Sequence, residues 1–167
     1  MENIILVDKN DVVIGSGEKL QVHKDGKLHR AFSIYVFNSK GEMLLQKRHR
    51  NKYHSGGLWA NTCCSHPRVG ESVDKAIHRR LKEEMGFDCE LTKKTEFIYK
   101  VKLDHGLTEH EYLHVYVGHF DGTPTLNPNE VEDFRWMNLD DIKNDIAIHG
   151  DNYAYWFKVT IDKLFSD

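Results

Sequence analysis

Gly70-Glu71-Ser72-Val73-Asp74-Lys75-Ala76-Ile77-His78-Arg79-Arg80-Leu81-Lys82-Glu83-Glu84-Met85-Gly86 holds the clearest element of the chain. Val73, Ile77, Leu81 and Glu84 fall at i, i+4, i+8 and i+11, one stripe of an α-helix. Gly70-Glu71-Ser72 opens the helix, and Gly86 suits the residue just past its end. Outward from it the pattern turns to strands. Ile4 to Asp8 reads as a strand closed by a Lys9-Asn10-Asp11 turn. Ala31 to Phe37 is rich in aromatic and β-branched residues and is followed by the turn Asn38-Ser39-Lys40-Gly41. Met43 to Arg48 is then expected to return as its hairpin partner, with a short strand over Trp59 to Ser65. After the helix, Phe97 to Val101, Glu111 to Val117 and Val131 to Met137 read as strands. Two helices finish the chain, near Leu139 to Ile146 and near Tyr153 to Phe165. This order predicts an α+β fold, a mixed β-sheet sandwich layered with helices, in a single domain over 1–167.

A chain of 167 residues can bury a real core. Its 23 basic and 26 acidic residues leave a net charge of −3, with no basic excess to neutralise nucleic-acid phosphates. No run approaches the roughly 18 apolar residues of a membrane helix. The N-terminal stretch from Met1 to Asp8 lacks a basic region and is expected to be a strand rather than a signal peptide. Three cysteines, two of them adjacent, are a poor disulfide framework, so a reducing cytoplasm is expected. With three prolines and no low-complexity run, no linker is evident. The expected partner is a small molecule, with no nucleic acid and no membrane, bound by a monomer or weak homodimer.

Chemistry concentrates in four places. In Asn61-Thr62-Cys63-Cys64-Ser65-His66-Pro67, an extended run puts Cys64 and His66 on one face and Cys63 on the other. A thiol beside an imidazole serves as a nucleophile with its base, as a metal site, or as an acid–base cysteine next to a metal. Glu109 and Glu111 share a face that Leu113, Val115 and Val117 continue inward. Carboxylates at the mouth of an apolar row call for metal ligation, because burying unpaired charge is costly. For the pair alone, a solvated loop before the strand is the better reading. His23 and His29 precede the Ala31 strand and, alone, read as loop histidines. With His66 and the two glutamates they make an N₃O₂ set suited to manganese, zinc, iron or magnesium. Arg80 and Glu84, four apart on the helix, are either a surface ion pair or a magnesium carboxylate beside a phosphate-binding guanidinium.

The helix resembles the Nudix box, a loop–helix–loop whose glutamates hold magnesium against a diphosphate. Glu71 fits its first glutamate, Arg79 its arginine, Leu81 its apolar position, Glu83 and Glu84 its double glutamate, and Gly86-Phe87 its closing pair. Two positions depart. Ser65 stands where the box begins with glycine, and Arg80 replaces the glutamate that supports attack by water in Nudix hydrolases. The alternative function, hydrolysis of a nucleoside diphosphate derivative, is therefore disfavoured.

Further matches run in register from near residue 4 to about residue 160. They comprise Glu18-Lys19 through His23, His29 to Ser33, Arg48 with Lys52, Gly57 to Pro67, Glu109 with Glu111, and Trp156. Together they resemble type I isopentenyl-diphosphate Delta-isomerase. The resemblance implies interconversion of isopentenyl diphosphate and dimethylallyl diphosphate in isoprenoid biosynthesis, by proton transfer on opposite faces of the substrate. It implies Cys64 and Glu111 as catalytic groups, assisted by Tyr99. It implies that His23, His29, His66, Glu109 and Glu111 hold one divalent ion, Mn²⁺, Zn²⁺ or Mg²⁺. Glu84, with the Cys64 carbonyl, would serve Mg²⁺ on the diphosphate, which Lys19, Arg48, Lys52 and Arg80 would grip. Trp156 would cover the hydrocarbon, where a π face can stabilise a cationic centre. Ser55-Gly56 stands where a bacterial member has Trp-Pro. His49, His54, His78, His105, His110, His114, His119 and His149 receive no role and are expected at the surface or satisfied in the core. Cys89 reads as a bystander thiol.

Overall fold

The computed structural model describes residues 2–165; Met1, Ser166 and Asp167, which the expected span of 1–167 includes, lie outside the described residues. The strands and helices are β1 (Asn3–Val7), β2 (Val13–Glu18), α1 (Lys19–Asp25), β3 (His29–Phe37), β4 (Met43–Arg48), β5 (Trp59–Ala60), β6 (Cys63–Ser65), α2 (Val73–Met85), β7 (Leu91–Lys102), β8 (Thr108–His119), β9 (Val131–Met137), α3 (Leu139–His149) and α4 (Tyr155–Phe165). The nine strands form one branched, mixed sheet, in which β3 pairs with β8 in parallel and the other named pairs are antiparallel. The α+β expectation holds. No described helix is long and apolar enough to cross a membrane.

Strand β3 organises both layers. Its Phe32, Ile34 and Val36 pack with Ile77, Leu81 and Met85 beneath α2. Its Ala31 and Tyr35 pack with Leu113, Val115, Trp156, Phe157 and Ile161 beneath α4 on the other face. The alternation of a strand thus feeds two cores from one sequence. Helix α2 starts where the Ser72 hydroxyl accepts from the Lys75 N–H and ends at Gly86, whose φ of 71° is left-handed.

Three local expectations change. The β3–β4 hairpin forms but is short: the strands pair at Phe37 and Met43 beside the turn and then diverge, and β4 runs on against β9. The segment Asn61-Thr62 fills the fork between them. Thr62 Oγ1 accepts from Val36 N–H (2.9 Å) and donates to the Leu44 carbonyl (2.7 Å), while the Asn61 amide donates to the carbonyls of Ile34 (3.1 Å) and Cys63 (3.0 Å). Side chains thereby satisfy buried backbone groups that a hairpin ladder would have paired. For the same reason Trp59–Ser65 is two strands rather than one. The third change is the stretch after Asp11, to which the sequence pattern assigns no element and which forms β2 and α1. The Glu18 carboxylate caps α1 by accepting from Leu20 and Gln21 N–H, and Gly26 closes it at φ 67°.

Candidate active site

His23 comes from α1, His29 from the first residue of β3, His66 from just after β6, and Glu109 and Glu111 from β8. Register brings them together, because β3 lies between β6 and β8: Ser33 pairs with Cys64 on one side, and His29 pairs with Glu111 on the other. Donor atoms of His23, His29, His66 and Glu109 all lie within 4.8 Å of one another. Glu111 Oε2 is 3.4 Å from Nε2 of both His29 and His66. All five side chains are buried. The solvated-loop reading of the glutamates and the loop reading of the histidines are both overturned.

The donors fit a divalent cation. His23 Nδ1 lies 2.7 Å from the Lys19 carbonyl and His29 Nδ1 lies 3.0 Å from the Lys27 carbonyl. A carbonyl only accepts, so each Nδ1 carries the hydrogen and, in the neutral ring, Nε2 offers a lone pair. Those lone pairs face carboxylate oxygens, with His23 Nε2 2.8 Å from Glu109 Oε1. Nε2 of His29 and of His66 has no hydrogen-bond partner. Buried lone pairs aimed at carboxylates need a cation between them.

Tyr99, on β7, reaches both acids. Its hydroxyl lies 2.6 Å from Glu111 Oε1 and 3.0 Å from Glu109 Oε2. Burial, then the charge of Glu109, raises Glu111 above the usual carboxylate range. Burial also pushes Glu109 upward, but His23 and His54 outweigh it and hold Glu109 well below that range. Burial drives His66 well below the ordinary imidazole value, with His29 and His23 adding to the effect. Burial pushes the Cys64 thiol up to about 12.

Two adjoining cavities meet at this cluster. One is lined by Cys64, Tyr99, Glu109, Glu111 and Trp156, among others. The second is lined by Lys19, Arg48, Lys52 and Arg80, all four of the expected diphosphate-binding cations. Arg48, Tyr53, Cys64, Ser65 and His66 line both. Lys19 pairs with Glu2 at 3.5 Å, Lys52 pairs with Glu130, and Arg80 pairs with Glu83, Glu84 and Glu130. Arg48 is 5% exposed, and no ion pair joins it to a carboxylate among the described residues. It stacks instead on Trp156, 4.9 Å from the ring centre.

Strand parity separates the two cysteines. Cys63 is buried against α2, whereas Cys64 reaches the cavity. Arg80 and Glu84 are largely buried, so the surface ion-pair reading fails. Glu84 lines neither cavity, and its oxygens are taken by Gln46 (2.9 Å) and Arg80. Tyr53 and His54 are site residues that sequence reasoning missed. His54 is buried between Glu109 and Trp156, not a bystander. Their one sequence signal is a position directly after Lys52, in the segment that leads to Trp59 and Cys64.

The fold and the α2 loop define a Nudix protein: the NUDIX domain profile matches residues 27–157. The crystal structure of a Deinococcus radiodurans protein superposes with a TM-score of 0.83 at 19% identity, covering 98% of this chain and 99% of that one. A MutT protein from Methanosarcina mazei gives 0.66 at 18% identity, covering 82% and 92%. Sequence relatives are more specific. Isopentenyl-diphosphate Delta-isomerase 2 of Photorhabdus laumondii is 53% identical over 98% of this chain and 92% of its own length. The enzyme of the same name from Aromatoleum aromaticum is 47% identical over 99% and 87%. The chain belongs to the isopentenyl-diphosphate Delta-isomerase family of Nudix proteins.

Proposed function

We propose that this chain, as a single domain, interconverts isopentenyl diphosphate and dimethylallyl diphosphate. One observation carries the reading: an acid–base cavity and a cation-lined cavity meet at Cys64, His66 and Arg48. The diphosphate occupies the second cavity, held by Lys19, Arg48, Lys52 and Arg80. Arg48 supports this best, since a buried guanidinium without a carboxylate calls for an anionic ligand. The five-carbon chain then lies in the first cavity against Trp156.

Strands β6 and β8 flank β3, so Cys64 and Glu111 approach the substrate from different strands. One adds a proton to the alkene and the other removes one, with Tyr99 holding the Glu111 carboxyl in place. The face of Trp156 stabilises the tertiary cationic centre by an amount on the order of 2 kcal/mol when desolvated. Burial keeps water from capturing that centre as an alcohol. His23, His29, His66, Glu109 and Glu111 would hold Mn²⁺, Zn²⁺ or Mg²⁺, which when bound polarises the Glu111 carboxyl. A magnesium ion at Glu84 and the Cys64 carbonyl would arrive with the diphosphate, because Gln46 and Arg80 already satisfy Glu84. Free thiols at Cys63, Cys64 and Cys89 support a reducing cytoplasm. Every donor comes from one chain, so a monomer or weak homodimer suffices.

The test is isopentenyl diphosphate with Mg²⁺ in deuterated buffer. The wild type should incorporate solvent deuterium into the product without releasing phosphate. Cys64→Ala and Glu111→Gln should each lower turnover by about 10²–10⁴ or more with an unchanged circular dichroism spectrum. Phosphate release without isomerisation would establish a hydrolase instead.

A further inference from the structure

His54 stands at the edge of the donor cluster. Its side chain is buried, and Nε2 lies 3.5 Å from Glu109 Oε1, the oxygen that His23 Nε2 meets at 2.8 Å. Nε2 has no hydrogen-bond partner, whereas Nδ1 lies 3.1 Å from the Ser55 hydroxyl. This repeats the arrangement at His23 and His29, where Nδ1 is tied to an oxygen and Nε2 is turned toward a carboxylate. A hydroxyl that accepts from Nδ1–H leaves the lone pair on Nε2, which is the tautomer that ligates. The ring stands 5.8 Å from that of His23 and edge-on to Trp156 at 5.5 Å, between the donor cluster and the indole.

We propose that His54 is a fourth imidazole donor to the divalent ion held by His23, His29, His66, Glu109 and Glu111. The protein then supplies six donors, four nitrogens and two carboxylates, enough for a six-coordinate ion with no position left for water. In a site that must keep water from a cationic centre, this removes the water molecule nearest the chemistry. Its second consequence is positional: a ring fixed on the ion by Nε2 and on Ser55 by Nδ1 gives Trp156 a rigid neighbour. The inference rests on the reading of the cluster as a metal site.

Mn²⁺ is the probe, added to the full chain and followed by electron paramagnetic resonance. With ¹⁵N-labelled histidine, the wild type should show four coupled imidazole nitrogens, and its bound Mn²⁺ should carry no exchangeable water by ¹⁷O relaxation. His54→Ala and His54→Phe should bind Mn²⁺ roughly 10–100-fold more weakly and gain a coordinated water. Free imidazole should restore affinity to His54→Ala. The phenylalanine keeps the aromatic contact with Trp156 but has no donor, so a packing role alone would leave its affinity at the wild-type level. Three nitrogens in the wild type, or Mn²⁺ affinity within twofold of wild type in both variants, overturns the role of His54 and leaves the five-donor site standing. A wild type that binds no Mn²⁺ overturns the metal site and His54 together. The nitrogen count needs no substitution, so it decides the question even if a variant misfolds.

Discussion

Tyr99 sets the protonation logic of the acid pair. A phenol has one hydrogen, yet the Tyr99 oxygen is within bonding distance of both Glu111 and Glu109. It can donate to one carboxylate, and the second contact is favourable only if that carboxyl donates back. Burial and the charge of Glu109 raise Glu111, while His23 and His54 hold Glu109 low, so Glu111 is the acid of the pair that takes a proton more readily. Tyr99→Phe should therefore lower kcat about 10–100-fold, the equivalent of one charge-assisted hydrogen bond of about 1.5–3 kcal/mol, with KM little changed. Steady-state kinetics check it, and a rise in KM at constant kcat would place Tyr99 in substrate binding instead. At this scale the sequence is legible where the cause is local. Strand alternation alone separates Cys64 from Cys63. The place of His54 was not legible, because it depends on a loop meeting Glu109 across the sheet, which no spacing near residue 54 encodes.

Among the elements, the turn before α2 is pinned by a single acid. Glu71 accepts from Arg79 Nε (2.7 Å) and Nη2 (2.8 Å), and also from Arg68 N–H (2.9 Å). The Arg79 hydrogen bonds hold its carboxyl below the usual range against a smaller effect of burial. A depressed carboxyl contributes stability that is present above its unfolded value, near 4.5, and is lost as pH falls through its folded value. Glu71→Gln should thus be less stable than wild type at pH 7, and the gap should close as pH falls below about 4.5. Urea titrations at a series of pH values measure this, and a gap that persists undiminished to pH 3 would contradict it. Helix α2 was legible because its apolar stripe is long and clean. The β3–β4 hairpin was legible from its turn, but its early divergence was not, because Asn61 and Thr62 satisfy the fork with side chains, an arrangement without a periodic signature. Helix α1 was missed because its seven residues bury only Val22 and His23, too few to form a stripe.

For the whole molecule, six buried titratable groups around one small space are a liability that an ion relieves. Any ligand that binds only the folded state adds stability by mass action. At a free Mn²⁺ concentration of a hundred times Kd the gain is about 2.7 kcal/mol, a rise in Tm of roughly 5–10 °C for a chain of this size. Thermal unfolding with Mn²⁺ and with chelator measures it, and coincident curves would count against the metal reading. The fold class, and which side chains gather in the candidate site, were legible because the matching stretches are strung in order along the chain. Their convergence follows from the sheet, in which β3 lies parallel to β8 with His29 opposite Glu111. His23 and Glu109 are 86 residues apart. During synthesis, then, the histidines leave the ribosome long before either acid does, and the five-donor centre stays incomplete until β8 is made. It closes only with the non-local parallel pairing, the kind of contact that forms slowly. The newborn chain therefore passes through an interval in which its histidines stand without the two carboxylates that complete the centre.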